Sequence, residues 1–175
     1  MKRSQLPFLP EYFDRYILLC DDVTISEAIQ TSIDELDQIP LDQWDALGET
    51  TYALGKWNIK DILQHLIDTE RVFTYRALAF ARNETQLLPS FSENEYASKA
   101  QASRRSLTSL IAELRCLHQS TKAMFDSFTP EMFLKKGMGF KGEYSVASIG
   151  FILPGHQRWH FEIIAKKYLP LLHTI

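Results

Sequence analysis

Apolar residues recur every three or four positions along four stretches of the chain, which is the period of one helix face rather than the alternation of a strand. The first stretch holds Ile25, Ile29, Ile33 and Leu36. Thr24-Ile25-Ser26-Glu27 opens it as a capping box, in which the hydroxyl and the carboxylate answer each other's free backbone amides, and Pro40 ends it after Ile39. The second carries Ile59, Ile62, Leu66, Phe73, Ala77 and Phe80. Asn58 caps it, Asp61 lies favourably against the positive end of its dipole, and it runs to about Arg82. Leu107, Leu110, Ile111, Leu114, Leu117, Phe125 and Phe128 mark the third, begun near Ser103 and stopped before Pro130. The fourth spans Ser145 to Tyr168, with Ile149, Ile152, Leu153, Ile163 and Ile164 on its inward face.

The intervening segments read as connections. Residues 1–23 form an irregular lead with a short packing segment at Tyr12, Phe13, Tyr16, Ile17 and Leu18, and Leu41 to Lys56, holding Trp44, Gly48 and Gly55, reads as a long loop. Asn83 to Phe91 is a polar loop with Pro89, and Ser92 to Ala102 adds a short helix. Gly137, Gly139 and Gly142 lack the strand and helix context of a phosphate-binding motif, so they count as turn glycines. With no strand pattern, the expectation is an all-α four-helix bundle, one domain over residues 1–175. Periodicity alone does not choose between up-down and crossover connections.

Composition narrows the classes of function. At 175 residues and 45% hydrophobic content the chain can bury a substantial core. Nineteen basic against 22 acidic side chains give a net charge of -3. No basic cluster exceeds Arg104-Arg105, Lys135-Lys136 and Lys166-Lys167, so no nucleic-acid partner is expected. No run approaches the roughly 18 apolar residues of a membrane helix, and no apolar segment follows Met1, which points to a cytoplasmic protein without a membrane partner. Cys20 and Cys116 have no C-x-x-C spacing and read as core or semi-buried thiols in a reducing compartment.

His156 and His160 stand one turn apart in the middle of the fourth helix's inward face. A lone histidine on such a face is ordinarily a satisfied core residue, and an i, i+4 pair arises by chance in many proteins. This face, however, offers few polar partners for two buried imidazoles, and buried polar groups are normally paired. A metal would satisfy both, and His65, on the flank of the second helix one turn below Thr69, completes a tripod with an open fourth position. Glu70 lies well round that helix from His65 and is no ligand; it reads as a carboxylate paired to a neighbouring helix, the sharper alternative being a buried acid near the site. Asp68 reads as solvated surface or as a partner of His65, His118 as a packed or exposed residue, and His173 as a solvated tail.

Trp57, Ile59 and Lys60, then His65, Asp68 and Glu70 on the second helix, and Gly155, His156 and His160 on the fourth resemble in order and spacing the DinB-like (YfiT-like) superfamily. The similarity runs from about Tyr16 to Tyr168 and takes in Leu88-Pro89-Ser90-Phe91 and Tyr96. The resemblance implies a four-helix bundle of crossover, up-up-down-down topology, a homodimer, and a divalent metal, zinc or nickel, held by His65, His156 and His160. Members include S-transferases using low-molecular-weight thiols such as bacillithiol, a mycothiol-dependent isomerase, and proteins described as metal-dependent hydrolases. Exposed rings at Tyr12, Phe13 and Tyr16 would suit the dimer. Two departures stand out: Trp159 replaces a second histidine that relatives often carry beside the last ligand, and Pro154 sits inside the fourth helix, where its missing amide should kink the helix near Gly150 or be absorbed in a bulge.

Three neutral imidazoles leave an ion's charge uncompensated, so its open position attracts an anion and acidifies bound water or thiol. A zincin protease needs a glutamate where Gln157 stands, which disfavours peptide hydrolysis. A thiol, with a free pKa of about 8.5, needs less activation than water. The expectation is transfer of a small thiol to a small electrophile, with no catalytic side chain beyond the ligands; metal-dependent hydrolysis and a non-catalytic, stress-related metal-binding role remain the alternatives.

Overall fold

The computed structural model describes residues 1–139 and 141–173. A lead with the short helix α1 (Asp14–Ile17) precedes α2 (Ile25–Glu35), α3 (Leu41–Leu47), α4 (Ile59–Ala81), α5 (Glu93–Ala100), α6 (Leu107–Asp126) and α7 (Pro130–Phe133). A hairpin of β1 (Lys136–Gly139) and β2 (Gly142–Ser145) then leads into α8 (Val146–Ile163), which continues through a π turn at Ile164–Tyr168. Capping chemistry sets the starts of α2 and α4. The Thr24 amide donates to Glu27 Oε2 at 2.8 Å and the Glu27 amide to Thr24 Oγ1 at 3.3 Å, while the Asp61 amide donates to Asn58 Oδ1 at 3.0 Å.

α2 and α4 each pack against both α6 and α8, so α2 stands diagonally across the bundle from α4, and α6 from α8. The core falls into two clusters. One gathers Ile25 and Ile29 of α2, Phe73 and Phe80 of α4, Phe125 of α6, and Ile149 and Ile152 of α8; the other gathers Leu36, Leu63 and Leu66, Leu110 and Leu114, and Ile164. Chain direction follows from this division. α2 and α8 run from the first cluster to the second, α4 and α6 from the second to the first, so the order is up-down-down-up rather than up-up-down-down. The physical reason is the parallel pair α4 and α6: their connection, residues 82–106, must return along the bundle, and it carries α5 on the way. Between the clusters lies a buried polar layer: Ser32, His65, Thr69, Glu70, His118, Thr121, His156 and Gln157.

Two connections differ from the sequence expectation. The stretch from Leu41 begins with α3, where Leu41, Trp44 and Leu47 share one face and Trp44 and Leu47 are buried; Pro40, read as a stop, also stands at the N-cap of this next helix. The glycine-rich segment is an antiparallel hairpin with Gly137 opposite Tyr144. A Cβ on Gly137 would lie 2.1 Å from the Phe80 ring, so the glycine lets the strand lie directly on an aromatic surface. The lead segment packs inward: Phe13 is 4% exposed, and Tyr12 and Tyr16 lie half-buried on the chain's own core with part of each side chain at the surface. Cys20 is buried as expected, whereas Cys116 is exposed. Among the described residues no helix is long and apolar enough to cross a membrane.

Candidate metal centre

The first half of α4 and the second half of α8 meet in the polar layer, and three imidazoles converge there. His156 Nε2 lies 3.1 Å from His65 Nε2 and 3.0 Å from His160 Nε2, with the rings steeply inclined to one another. Two ligands about 2.0–2.1 Å from one tetrahedral zinc lie about 3.3 Å apart, so the spacing suits a divalent ion. The donor set suits it as well. His65 Nδ1 stands 3.3 Å from Thr69 Oγ1; donating there leaves Nε2 a bare acceptor facing the other two rings. His160 Nδ1 is buried and has no hydrogen-bond partner among the described residues.

The surroundings disfavour protonation of these rings. Burial, with the nearby His160, pushes His65 down to about 3, and burial pushes His160 down to about 4. His156 falls well below its ordinary value through burial, then through His160, His65 and Arg15. All three are neutral at pH 7, the state in which imidazole binds a metal.

Aromatic rings hold the imidazoles in place. Trp57, just before α4, lies 4.7 Å from the His65 ring, and Tyr16 of α1 lies 5.0 Å from His156 and 5.7 Å from Trp159. Burial pushes the Tyr16 hydroxyl up to about 12, so it keeps its proton. Tyr16 reaches this position because Gly155 presents no side chain: a Cβ there would sit 1.9 Å from the Tyr16 carbonyl oxygen. A cavity of about 210 Å³, lined by Tyr52, Trp57, Asn94, His160 and Tyr168, opens beside the triad. The Trp57 and Gly155 positions belong to the sequence motif; Tyr16 and Asn94 do not, because both lie far from the histidines along the chain and only packing brings them close.

The other polar residues take separate roles. Asp68 accepts from Gln64 Nε2 at 2.9 Å, and Thr69 is the residue that meets His65. Glu70 faces α6: its Oε2 lies 2.7 Å from His118 Nδ1, and Thr121 Oγ1 donates to its Oε1 at 2.6 Å. His118 is buried in this pair. Gln157, beside His156, turns away from the triad; its Nε2 donates to the Ser32 carbonyl and Glu35 Oε2, both at 3.0 Å, while its Oε1 faces His118 Nε2 at 2.7 Å. Both His118 nitrogens thus face acceptors, an arrangement that favours the imidazolium. Burial alone would lower its pKa, but Glu70, Gln157 and Glu35 together hold it above the ordinary value. α8 runs unbroken through Pro154, and its departure from α winding comes at Ile164–Tyr168 instead. Gly150 is no hinge either: a Cβ there would meet Ile25 at 2.7 Å, so its smallness serves helix contact. Exposed His173 lies at the far C-terminal turn.

No curated protein matches the chain. A solved structure described as YfiT from Bacillus subtilis, a probable metal-dependent hydrolase with an unusual four-helix bundle topology, superposes with a TM-score of 0.62. That likeness covers 91% of this chain and 89% of the other at 17% identity, and it carries the fold. A family model of the DinB superfamily matches residues 25–164, a span that takes in α2 to α8 and all three converging histidines. The chain belongs to the DinB superfamily.

Proposed function

We propose that His65, His156 and His160 hold a divalent ion, zinc or nickel, and that the chain is a metal-dependent enzyme transferring a small thiol to an electrophile. The observation that carries this reading is the convergence of three neutral imidazoles, with His156 Nε2 3.1 Å from His65 Nε2 and 3.0 Å from His160 Nε2 and all three ligand atoms within 4.8 Å of one another, at the edge of an open cavity. Bound there, the ion would lower the pKa of a thiol or water and supply a nucleophile at neutral pH. The chain's own residues do the positioning. Thr69 meets His65 Nδ1 and orients the ring, Trp57 and Tyr16 pack the rings, and Gln157 is engaged in the polar layer, so no glutamate-like base stands one residue after His156. Burial pushes the Cys20 thiol up to about 12, and its Sγ donates to the Phe151 carbonyl at 3.2 Å, so it is no covalent nucleophile.

Hydrolysis is the second reading, favoured by the description of the Bacillus subtilis protein as a probable metal-dependent hydrolase. The deciding experiment begins with elemental analysis of protein purified without a metal-affinity tag. His156→Ala is expected to lose most of the ion with helical circular dichroism intact; unchanged stoichiometry overturns the ligand set. Metal-loaded protein with a thiol panel and monochlorobimane should then form conjugate above the uncatalysed rate, including in Cys20→Ala and Cys116→Ala. Absence of that rate with every thiol, together with metal-dependent ester or amide cleavage, would establish the hydrolase instead.

A further inference from the structure

The first turn of α5 separates two cavities of different character. One is the cavity at His160; the other, of about 230 Å³, is walled by Phe13, Phe73 and Phe91, with Arg76 in its lining. Asn94 lines both. Arg76 is 1% exposed. Its Nη2 donates to the Pro89 carbonyl at 3.0 Å and its guanidinium carbon stands 5.0 Å over the Phe73 ring, while Nε and Nη1 are buried with no hydrogen-bond partner among the described residues. No carboxylate of the described residues lies within 4.0 Å of it, and Glu93 stands exposed at the cavity's rim. A guanidinium keeps its charge at any physiological pH, and leaving such a charge buried without a counter-ion is costly. The Pro89 hydrogen bond and the Phe73 ring offset part of that cost, and an anionic ligand would offset the rest.

We propose that this cavity is a subsite for a small organic acid, whose carboxylate answers Arg76 and whose apolar frame packs among the three phenyl rings. A carboxylate is the preferred anion because the walls are aromatic: they favour a ligand with an apolar body over a bare inorganic ion. Arg76 also borders a cavity of about 280 Å³ beyond Phe91, but that one shares no residue with the cavity at His160. Asn94 lines both the aromatic cavity and the cavity at His160, so an acid anchored at Arg76 would lie next to the metal-centre cavity. That this acid is the substrate rests on the metal-centre reading above; its binding does not.

The test is calorimetric titration of the full chain with benzoate, in chelated and metal-loaded forms, with benzamide as the neutral counterpart. Benzoate is expected to bind the chelated protein at least tenfold more tightly than benzamide does, and Arg76→Met to remove that difference. Phe91→Ala, at a half-buried position, should weaken benzoate severalfold and leave acetate unchanged, which keeps the test available if Arg76→Met fails to fold. Equal benzoate affinity in wild type and both variants overturns the proposal. So does binding confined to the metal-loaded form, which puts the carboxylate on the ion, or binding seen only in Glu93→Gln, which makes Glu93 the partner of Arg76. Failure of the metal-centre reading appears separately, as metal content that ignores His156→Ala while chelated protein still binds benzoate.

Discussion

Gly155 illustrates how a residue without chemistry controls one with it. Its absent side chain admits the Tyr16 carbonyl, and the atoms a Cβ would strike, at 1.9 and 2.5 Å, are backbone atoms that cannot rotate aside. The next residue is His156, whose ring Tyr16 covers at 5.0 Å. Overpacking a close contact typically costs about 1–3 kcal/mol. Gly155→Ala should lower stability by that amount in urea denaturation and weaken metal binding, since α1 must lift from α8. An unchanged urea midpoint would mean that the lead segment moves off without cost. The signal is legible in sequence only as a glycine before a histidine; its meaning depends on a residue nearly the length of the chain away.

At the scale of elements, the polar layer joins helices that apolar packing alone would leave free to slide. Glu70 of α4, His118 of α6, and Gln157 with Glu35 connect four helices in one run of contacts. Arg158 extends it to the lead segment, donating to Glu35 Oε1 at 2.6 Å and to the Leu19 carbonyl at 2.8 Å. Removing one partner of a buried ion pair leaves the other charged and uncompensated, at a cost of about 3–5 kcal/mol. Glu70→Gln should therefore destabilise the protein by about 3 kcal/mol or more, read from the urea midpoint at neutral pH. A loss below about 0.5 kcal/mol, the size of an ordinary surface change, would mean that His118 is neutral.

For the whole molecule, the two histidine systems respond to pH with opposite signs. The folded pKa of His118 is raised, so its contribution is present below the unfolded value and fades as pH rises through the folded one. The triad is lowered, so its contribution is present above its ordinary value of 6.5 and is lost as pH falls toward about 4 for His160 and about 3 for His65. Several lowered carboxylates act only below their ordinary values of 3.8 and 4.5. Asp61 and Glu93, raised chiefly by burial, act in the opposite direction, but three lowered imidazoles outweigh these two carboxylates, so between pH 6.5 and 4.5 the chelated protein should lose thermal stability on acidification, and His156→Ala should flatten that slope. Metal-loaded protein should fall more steeply still, because protons compete for the same nitrogens. A flat profile for the chelated wild type would show the triad to be charged or exposed.

The sequence by itself determined what acts within a few residues: four long helices from their 3.6-residue stripes, the starts at Thr24 and Asn58 from reciprocal caps, and the pairing of His156 with His160 from one helical turn. His65 was reachable because the flank of an apolar stripe can still turn toward a bundle interior. Tertiary structure decided the rest. Trp44 made a helix of a stretch whose glycines suggested a loop, and Phe80 and Tyr144 made a hairpin from glycines that carry no strand pattern of their own. The parallel course of α4 and α6, the turning of Gln157 toward His118, and the burial of Arg76 beside three phenyl rings depend on which faces meet. Capping and periodicity are local and leave a mark in neighbouring residues. Partner choice minimises exposed apolar surface and unpaired polar groups over the entire chain at once, and no window of sequence contains that sum.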